Sequence, residues 1–242
     1  MPGPGELPAQ LPERRIGREA AAARLRQIVD PVPQASQVLL VTGEAGMGKT
    51  VLLTDAADRA RSAGMRVLHV AGRESESNLA FAGLHELLRP VVSGAASLPG
   101  RQAQALLGAL GLSADPVAPD LFLTHVAVLT LLSDLSESSP VLVVADDAHW
   151  LDRSSLDVLA FVSSRLDAER VVLLLGARGQ APPPGFDRGF PELHLGPLSA
   201  TDASRLLDAQ PVPPRARARA QVLAQAEGNP MALIELAKVI AR

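Results

Sequence analysis

The chain has no cysteine, which excludes disulfides, thiolate nucleophiles and cysteine-ligated zinc, and suits a reducing compartment. Aromatic residues make up only 2%, so the core must be built from Leu, Val and Ala. Charge of one sign is also missing. A formal net charge of -3 and a pI near 6.0 remove any global attraction to nucleic acid or to an anionic membrane surface. No positively charged leader runs into an apolar segment, and no uninterrupted apolar run approaches the roughly 18 residues of a membrane-crossing helix. These absences predict a soluble, cytoplasmic protein with no membrane partner. The 242 residues allow one large domain with a small appendage.

Lysine is nearly absent too, at Lys49 and Lys238 alone, and the first of these sits in the most informative stretch. Gly43-Glu44-Ala45-Gly46-Met47-Gly48-Lys49-Thr50 directly follows the apolar run Val38 to Thr42. It fits G-x-x-x-x-G-K-[ST] in the required context of a buried strand, a tight turn and a helix. Polyphosphate binding needs several N–H donors converging on one point, and glycines let the backbone curl that tightly. Lys49 supplies charge for the β and γ phosphates, Thr50 a hydroxyl for Mg²⁺, and the following helix its positive dipole end. The expected cradle is therefore Gly43, Glu44, Ala45, Gly46, Met47, Gly48, Lys49, Thr50 and Val51.

Residues 1–13 hold four prolines and two glycines without apolar periodicity, and read as a flexible leader. A helix is predicted from about Arg18 to Val29, a strand from Gln37, the P-loop helix from about Gly48 to Ala63, and a second strand from Arg66 to Ala71. Helices follow at Leu79–Leu88, Arg101–Leu110 and Asp120–Leu135, the last apolar nearly all round and so expected to be buried. Val141–Ala145 reads as a covered parallel strand, Asp152–Leu166 as a helix capped by Asp152, and Val171–Leu175 as another strand. A weak strand at Glu192–Leu195 ends the alternation. Helices alone follow, at Ser199–Ala209, Arg215–Glu227 and Met231–Ile240. The expected fold is α/β, a P-loop NTPase with a parallel five-stranded sheet flanked by helices. The domain reading is a core over 14–196 and a small C-terminal helical lid, truncated, over 197–242.

Nucleotide chemistry needs carboxylates opposite the P-loop. Asp146 ends the strand Val141–Ala145, where it can hold Mg²⁺, and Asp147 can polarise the attacking water. The plain alternative is a pair of acids ending a strand. Arg178 follows the next strand at the same sheet edge, as a γ-phosphate sensor or a surface arginine. His149 reads equally as a γ-phosphate contact or a packing residue, and Trp150 as a packing anchor. His85-Glu86 lacks the second histidine of a zinc helix, so no metal site is expected there. Gly228 and Pro230 are explained by helix ends, and Arg215, Arg217 and Arg219 by a solvated face.

The set Ile16-Gly17-Arg18-Glu19, Gly43 to Thr50, Val141 to Trp150, Arg178 and Gly228-Asn229-Pro230 resembles the STAND class of AAA+-related P-loop ATPases. More narrowly, it is similar to the ATPase domain of large ATP-binding LuxR-type transcriptional regulators. The resemblance implies that Ile16, Gly17 and Arg18 lie against adenine and ribose, that Pro230 closes over the base, and that ATP/ADP with Mg²⁺ is the ligand. It implies a switch that holds ADP at rest, exchanges it for ATP when an inducer or regulatory partner binds, self-associates, and hydrolyses slowly. DNA would be reached only through a domain outside this chain, which stops after the first lid helices. Asp147 stands where many motor ATPases place glutamate, and a shorter side chain favours slow turnover. Rival readings are a fast catalytic P-loop ATPase or kinase, and a nucleotide-bound scaffold that never hydrolyses.

Overall fold

The computed structural model describes residues 16–113, 120–187 and 189–240, so the leader expected over 1–13 lies outside the described residues. They form two compact units, Ala23–Gly196 and a second that joins residues up to Ala22 with those from Pro197.

In the larger unit, apolar runs without polar alternation produce strands buried on both faces. β1 (Gln37–Gly43), β2 (Arg66–Ala71), β3 (Val141–Asp146), β4 (Val171–Arg178) and β5 (Glu192–His194) pair in the order β2-β3-β4-β1-β5, all parallel. Every residue of β3 is buried, as is every residue of β4 before Arg178. The central strand β4 and its neighbour β1 stand in register so that Gly43 faces Arg178 across the ladder. The expected strand Val171–Leu175 therefore runs on to Arg178, because β1 offers backbone partners that far. This is the expected parallel five-stranded sheet flanked by helices, with a helical C-terminal region.

Helices α1 (Glu19–Val29), α2 (Lys49–Ser62), α3 (Ala82–Leu88), α4 (Gly100–Ala109), α5 (Leu121–Ser138) and α6 (Arg153–Ser163) precede or cross between strands. Two depart from expectation. α3 starts at Ala82 rather than Leu79, because Phe81 is held in the left-handed region at φ 62°. The hold is distant in sequence: the Asp152 carboxylate accepts the Phe81 and Gly83 amides at 2.8 and 3.0 Å, and Ser155 Oγ accepts that of Leu84 at 2.8 Å.

α5 is buried on one face only, through Thr124, Ala127, Val128, Leu131 and Leu132 at helical spacing, while Leu121 and Phe122 are 56% and 65% exposed. Packing against α4, α6 and the sheet covers a single stripe, so apolarity all round does not mean burial all round. By length and a mean hydropathy of 1.2 this helix is long and apolar enough to cross a membrane, although its buried stripe is part of the main core.

The second unit contains α7 (Ala200–Asp208), α8 (Ala216–Ala226) and α9 (Pro230–Ile240) around a core of Leu198, Leu206, Leu207, Val222 and Leu233. Ser199 caps α7 by accepting the Asp202 amide at 3.0 Å. Glu227 and Gly228 both take left-handed backbone after α8, and Pro230 opens α9.

Candidate nucleotide site

α2 begins at Lys49, and its N-cap is Gly48 at φ 93°, ψ 19°, a conformation that a side chain resists. No side chain caps this helix and its first turn holds no acid, whereas Asp120 and Asp152 cap α5 and α6. The amides at the start of α2 are thus left facing the turn, the arrangement that suits an anion. Gly43, Met47 and Lys49 are buried, Gly46, Gly48 and Val51 half-buried, and Glu44, Ala45 and Thr50 exposed. Lys49 curls over its own loop, donating from Nζ to the carbonyls of Gly43 and Glu44 at 2.8 and 3.0 Å.

β3 carries Asp146 to the same edge, 4% exposed, where Oδ1 accepts the Asp147 amide at 2.9 Å. Asp147 adopts φ 45°, ψ 42°, a left-handed turn that leaves its carboxylate 48% exposed. β4 brings in Arg178, whose Nε lies 3.6 Å from Glu44 Oε2. Burial lowers the pKa of the Lys49 ammonium, against the pull of Asp147, Asp146 and Glu44. Lys49, Asp146, Asp147, Arg178 and Glu44 therefore share one electrostatic cluster at the C-terminal edge of the sheet, where open α/β folds bind ligands.

His149 belongs to this cluster. Its Nδ1 accepts the Arg178 amide at 3.3 Å, so its proton resides on Nε2, and it lies 4.0 Å from Asp147 Oδ1. Burial holds it below its ordinary pKa of 6.5, outweighing the carboxylates. Trp150 is half-buried, with its ring centroid 5.2 Å from that of His149.

Two glycines that sequence reasoning passed over set the shape of this edge. A Cβ on Gly72 would meet the Asp147 carbonyl at 2.3 Å and the Leu151 amide at 2.8 Å, and one on Gly176 would meet Asp146 Oδ1 at 2.7 Å. Each follows or interrupts an apolar strand, the one local sign that backbone or carboxylate comes close. Asp152 went unrecognised as more than a cap: it is 3% exposed, and Ser155 donates to it from both its amide (2.9 Å) and its hydroxyl (2.6 Å).

Ile16, Gly17, Arg18 and Pro230 belong to the second unit. Ile16 packs on its core, and a Cβ on Gly17 would meet Leu198 Cδ2 at 2.7 Å and Asp202 Cβ at 2.8 Å. Burial lowers the Arg18 pKa, offset by Asp202. Glu86, of the discarded zinc-like segment, pairs with Arg73 at 3.2 Å.

The donor set fits hydrated Mg²⁺ held with phosphate oxygens. Thr50 would supply a hydroxyl and Asp146 one buried carboxylate, and among the described residues no group of three or more His, Asp or Glu forms a metal cage.

Fold and site together define an AAA+ P-loop ATPase. The chain belongs to the AAA ATPase domain family, whose model matches residues 14–175. An uncharacterized protein of Rhizobium meliloti (strain 1021) is 26% identical over 217 residues, covering 79% of this chain and 21% of that protein. The chain thus spans about a fifth of that relative. It is similar in structure to Cdc6p of Pyrobaculum aerophilum (TM-score 0.59, 14% identity, 97% of this chain and 62% of that one). A STAND protein with a tetratricopeptide repeat sensor from Pyrococcus horikoshii gives TM-score 0.56 at 16% identity, over 90% of this chain and 29% of that one. The ORC2 protein of Aeropyrum pernix in its ADP form also gives 0.56 at 16%, over 97% and 64%. At these identities the likeness is one of fold.

Proposed function

We propose that this chain is an ATP/ADP-binding regulatory switch domain of the STAND class, from a signal-responsive transcriptional regulator of the LuxR type, with slow Mg²⁺-dependent ATP hydrolysis. The observation that carries the reading is the gathering of Lys49, Asp146, Asp147 and Arg178 around the uncapped start of α2. In this reading the Gly43–Val51 cradle and Lys49 bind the β and γ phosphates, and Thr50 and Asp146 hold Mg²⁺. Bound there, Mg²⁺ would supply neutralisation of charge on the phosphoryl group. Asp147 orients and polarises water, and Arg178 senses the γ-phosphate.

Slow turnover is favoured because the Asp147 side chain is one methylene shorter than glutamate and reaches less far toward water. The regulatory role is taken from the motif set that resembles the STAND class, and the fold is compatible with it through the likeness to a solved STAND protein. An inducer or regulatory partner drives ADP-to-ATP exchange, and the ATP state self-associates.

The test is calorimetric titration of the protein and of Lys49→Ala with Mg²⁺-ADP and a non-hydrolysable Mg²⁺-ATP analogue. Micromolar or tighter binding by the parent and a loss of at least about 100-fold in the variant is expected, since Lys49 is a buried cation among three carboxylates. Equal affinity in both proteins would overturn the assignment.

A further inference from the structure

Arg178 already has an anionic partner, and that partner is part of the P-loop. Glu44 occupies the second position of the loop, and its Oε2 lies 3.6 Å from Arg178 Nε. Arg178 ends β4, where its amide is held by His149 Nδ1 at 3.3 Å and Gly43 is its ladder partner, so the origin of the side chain is fixed. The Glu44 backbone is fixed too, since its carbonyl accepts both Lys49 Nζ and the Met47 amide. Only the two side chains can swing. Both are more than half exposed, at 57% for Arg178 and 60% for Glu44, so the pair can part without uncovering any core.

We propose that Glu44 is a specificity-determining residue that competes with the terminal phosphate of a nucleoside triphosphate for Arg178, and so biases the site toward the diphosphate. The inference rests on the reading of Arg178 as the γ-phosphate contact and adds the competitor. Glu44 lies beside the Nε of the guanidinium at 3.6 Å, an ion pair longer than a hydrogen bond, and its charge competes with any second anion for the single positive charge of Arg178. With a diphosphate bound, no third phosphate reaches for Arg178 and the pair with Glu44 persists. With a triphosphate, the Glu44 carboxylate draws Arg178 away from the third phosphate, and that cost falls on the triphosphate alone. Glutamate in this position also adds a third carboxylate to Asp146 and Asp147 around two cations, Lys49 and Arg178. Its general repulsion acts on either nucleotide and must be separated from the competition.

A double-mutant cycle makes that separation. Dissociation constants for Mg²⁺-ADP and a non-hydrolysable Mg²⁺-ATP analogue are measured by calorimetry for the parent, Glu44→Gln, Arg178→Ala and the double variant. Glutamine keeps the shape and leaves the loop backbone bonds untouched. An exposed ion pair of this kind corresponds to a shift of about two- to fivefold. Glu44→Gln should therefore move the ADP/ATP affinity ratio toward ATP by about two- to fivefold, and by less than about 1.5-fold when Arg178 is already alanine. A ratio that does not move, or that moves equally in both backgrounds, overturns the competition while leaving nucleotide binding intact. Failure of the parent to bind either nucleotide overturns the functional reading and this inference with it.

Discussion

Replacing Asp152 with alanine would remove the group that ties the segment after β2 to the turn after β3. The carboxylate is 3% exposed and accepts four hydrogen bonds, from the amides of Phe81 (2.8 Å), Gly83 (3.0 Å) and Ser155 (2.9 Å) and from the Ser155 hydroxyl (2.6 Å). Each hydrogen bond to a charged acceptor contributes about 1.5–3 kcal/mol net, but the four are not additive, and water entering the space left behind will satisfy some of the stranded donors. A loss of about 3–5 kcal/mol is expected for Asp152→Ala, at the upper end for single substitutions. For a chain of this size that lowers the melting midpoint by about 8–15 °C. Asp152→Asn retains one acceptor oxygen and should lose roughly half as much, and Ser155→Ala, which strands the Leu84 amide, about 1–2 kcal/mol. Urea unfolding followed by circular dichroism at neutral pH gives the ranking. A cost below about 1 kcal/mol for Asp152→Ala would refute the reasoning, since a buried acceptor of three backbone amides cannot be that cheap to remove.

Gly72→Ala forces a methyl group into the Asp147 carbonyl and the Leu151 amide, both backbone atoms that cannot step aside cheaply. ATP hydrolysis should fall at least about tenfold while ADP affinity stays within about threefold, because a roughly 1 Å displacement of a catalytic group is costly and the P-loop is untouched; equal losses in both would contradict the assignment. His149 titrates with a folded-state pKa below its ordinary 6.5, so the unfolded chain binds more protons in the window beneath that value. Its contribution to stability is complete above about pH 6.5 and is lost as pH falls through the lowered folded-state value. Chemical denaturation across that window should show the decline, and His149→Asn should flatten it.

The P-loop and its helix were legible because their chemistry is local. Eight consecutive residues specify a glycine turn running into a helix, and the structure begins α2 at Lys49. β3 and β4 were legible as uninterrupted apolar runs, which only doubly covered strands require. What could not be read depends on pairs far apart in the chain. The left-handed Phe81 is set by Asp152, 71 residues away, and the extension of β4 to Arg178 by its register with Gly43. Gly72 and Gly176 matter because of what approaches them, and nothing in their own neighbourhoods names Asp147 or Asp146. The exposed end of α5 was misjudged for a related reason, since composition reports how apolar a helix is and not how many of its sides find a partner.

Steady-state ATP turnover by the purified protein with Mg²⁺, beside Asp147→Asn, tests the central claim most directly. The account predicts turnover far below the roughly 10 s⁻¹ median of enzymes, ADP retained after each cycle, and activity lost in the variant although nucleotide still binds. Fast multiple turnover, or hydrolysis unchanged by Asp147→Asn, would contradict it.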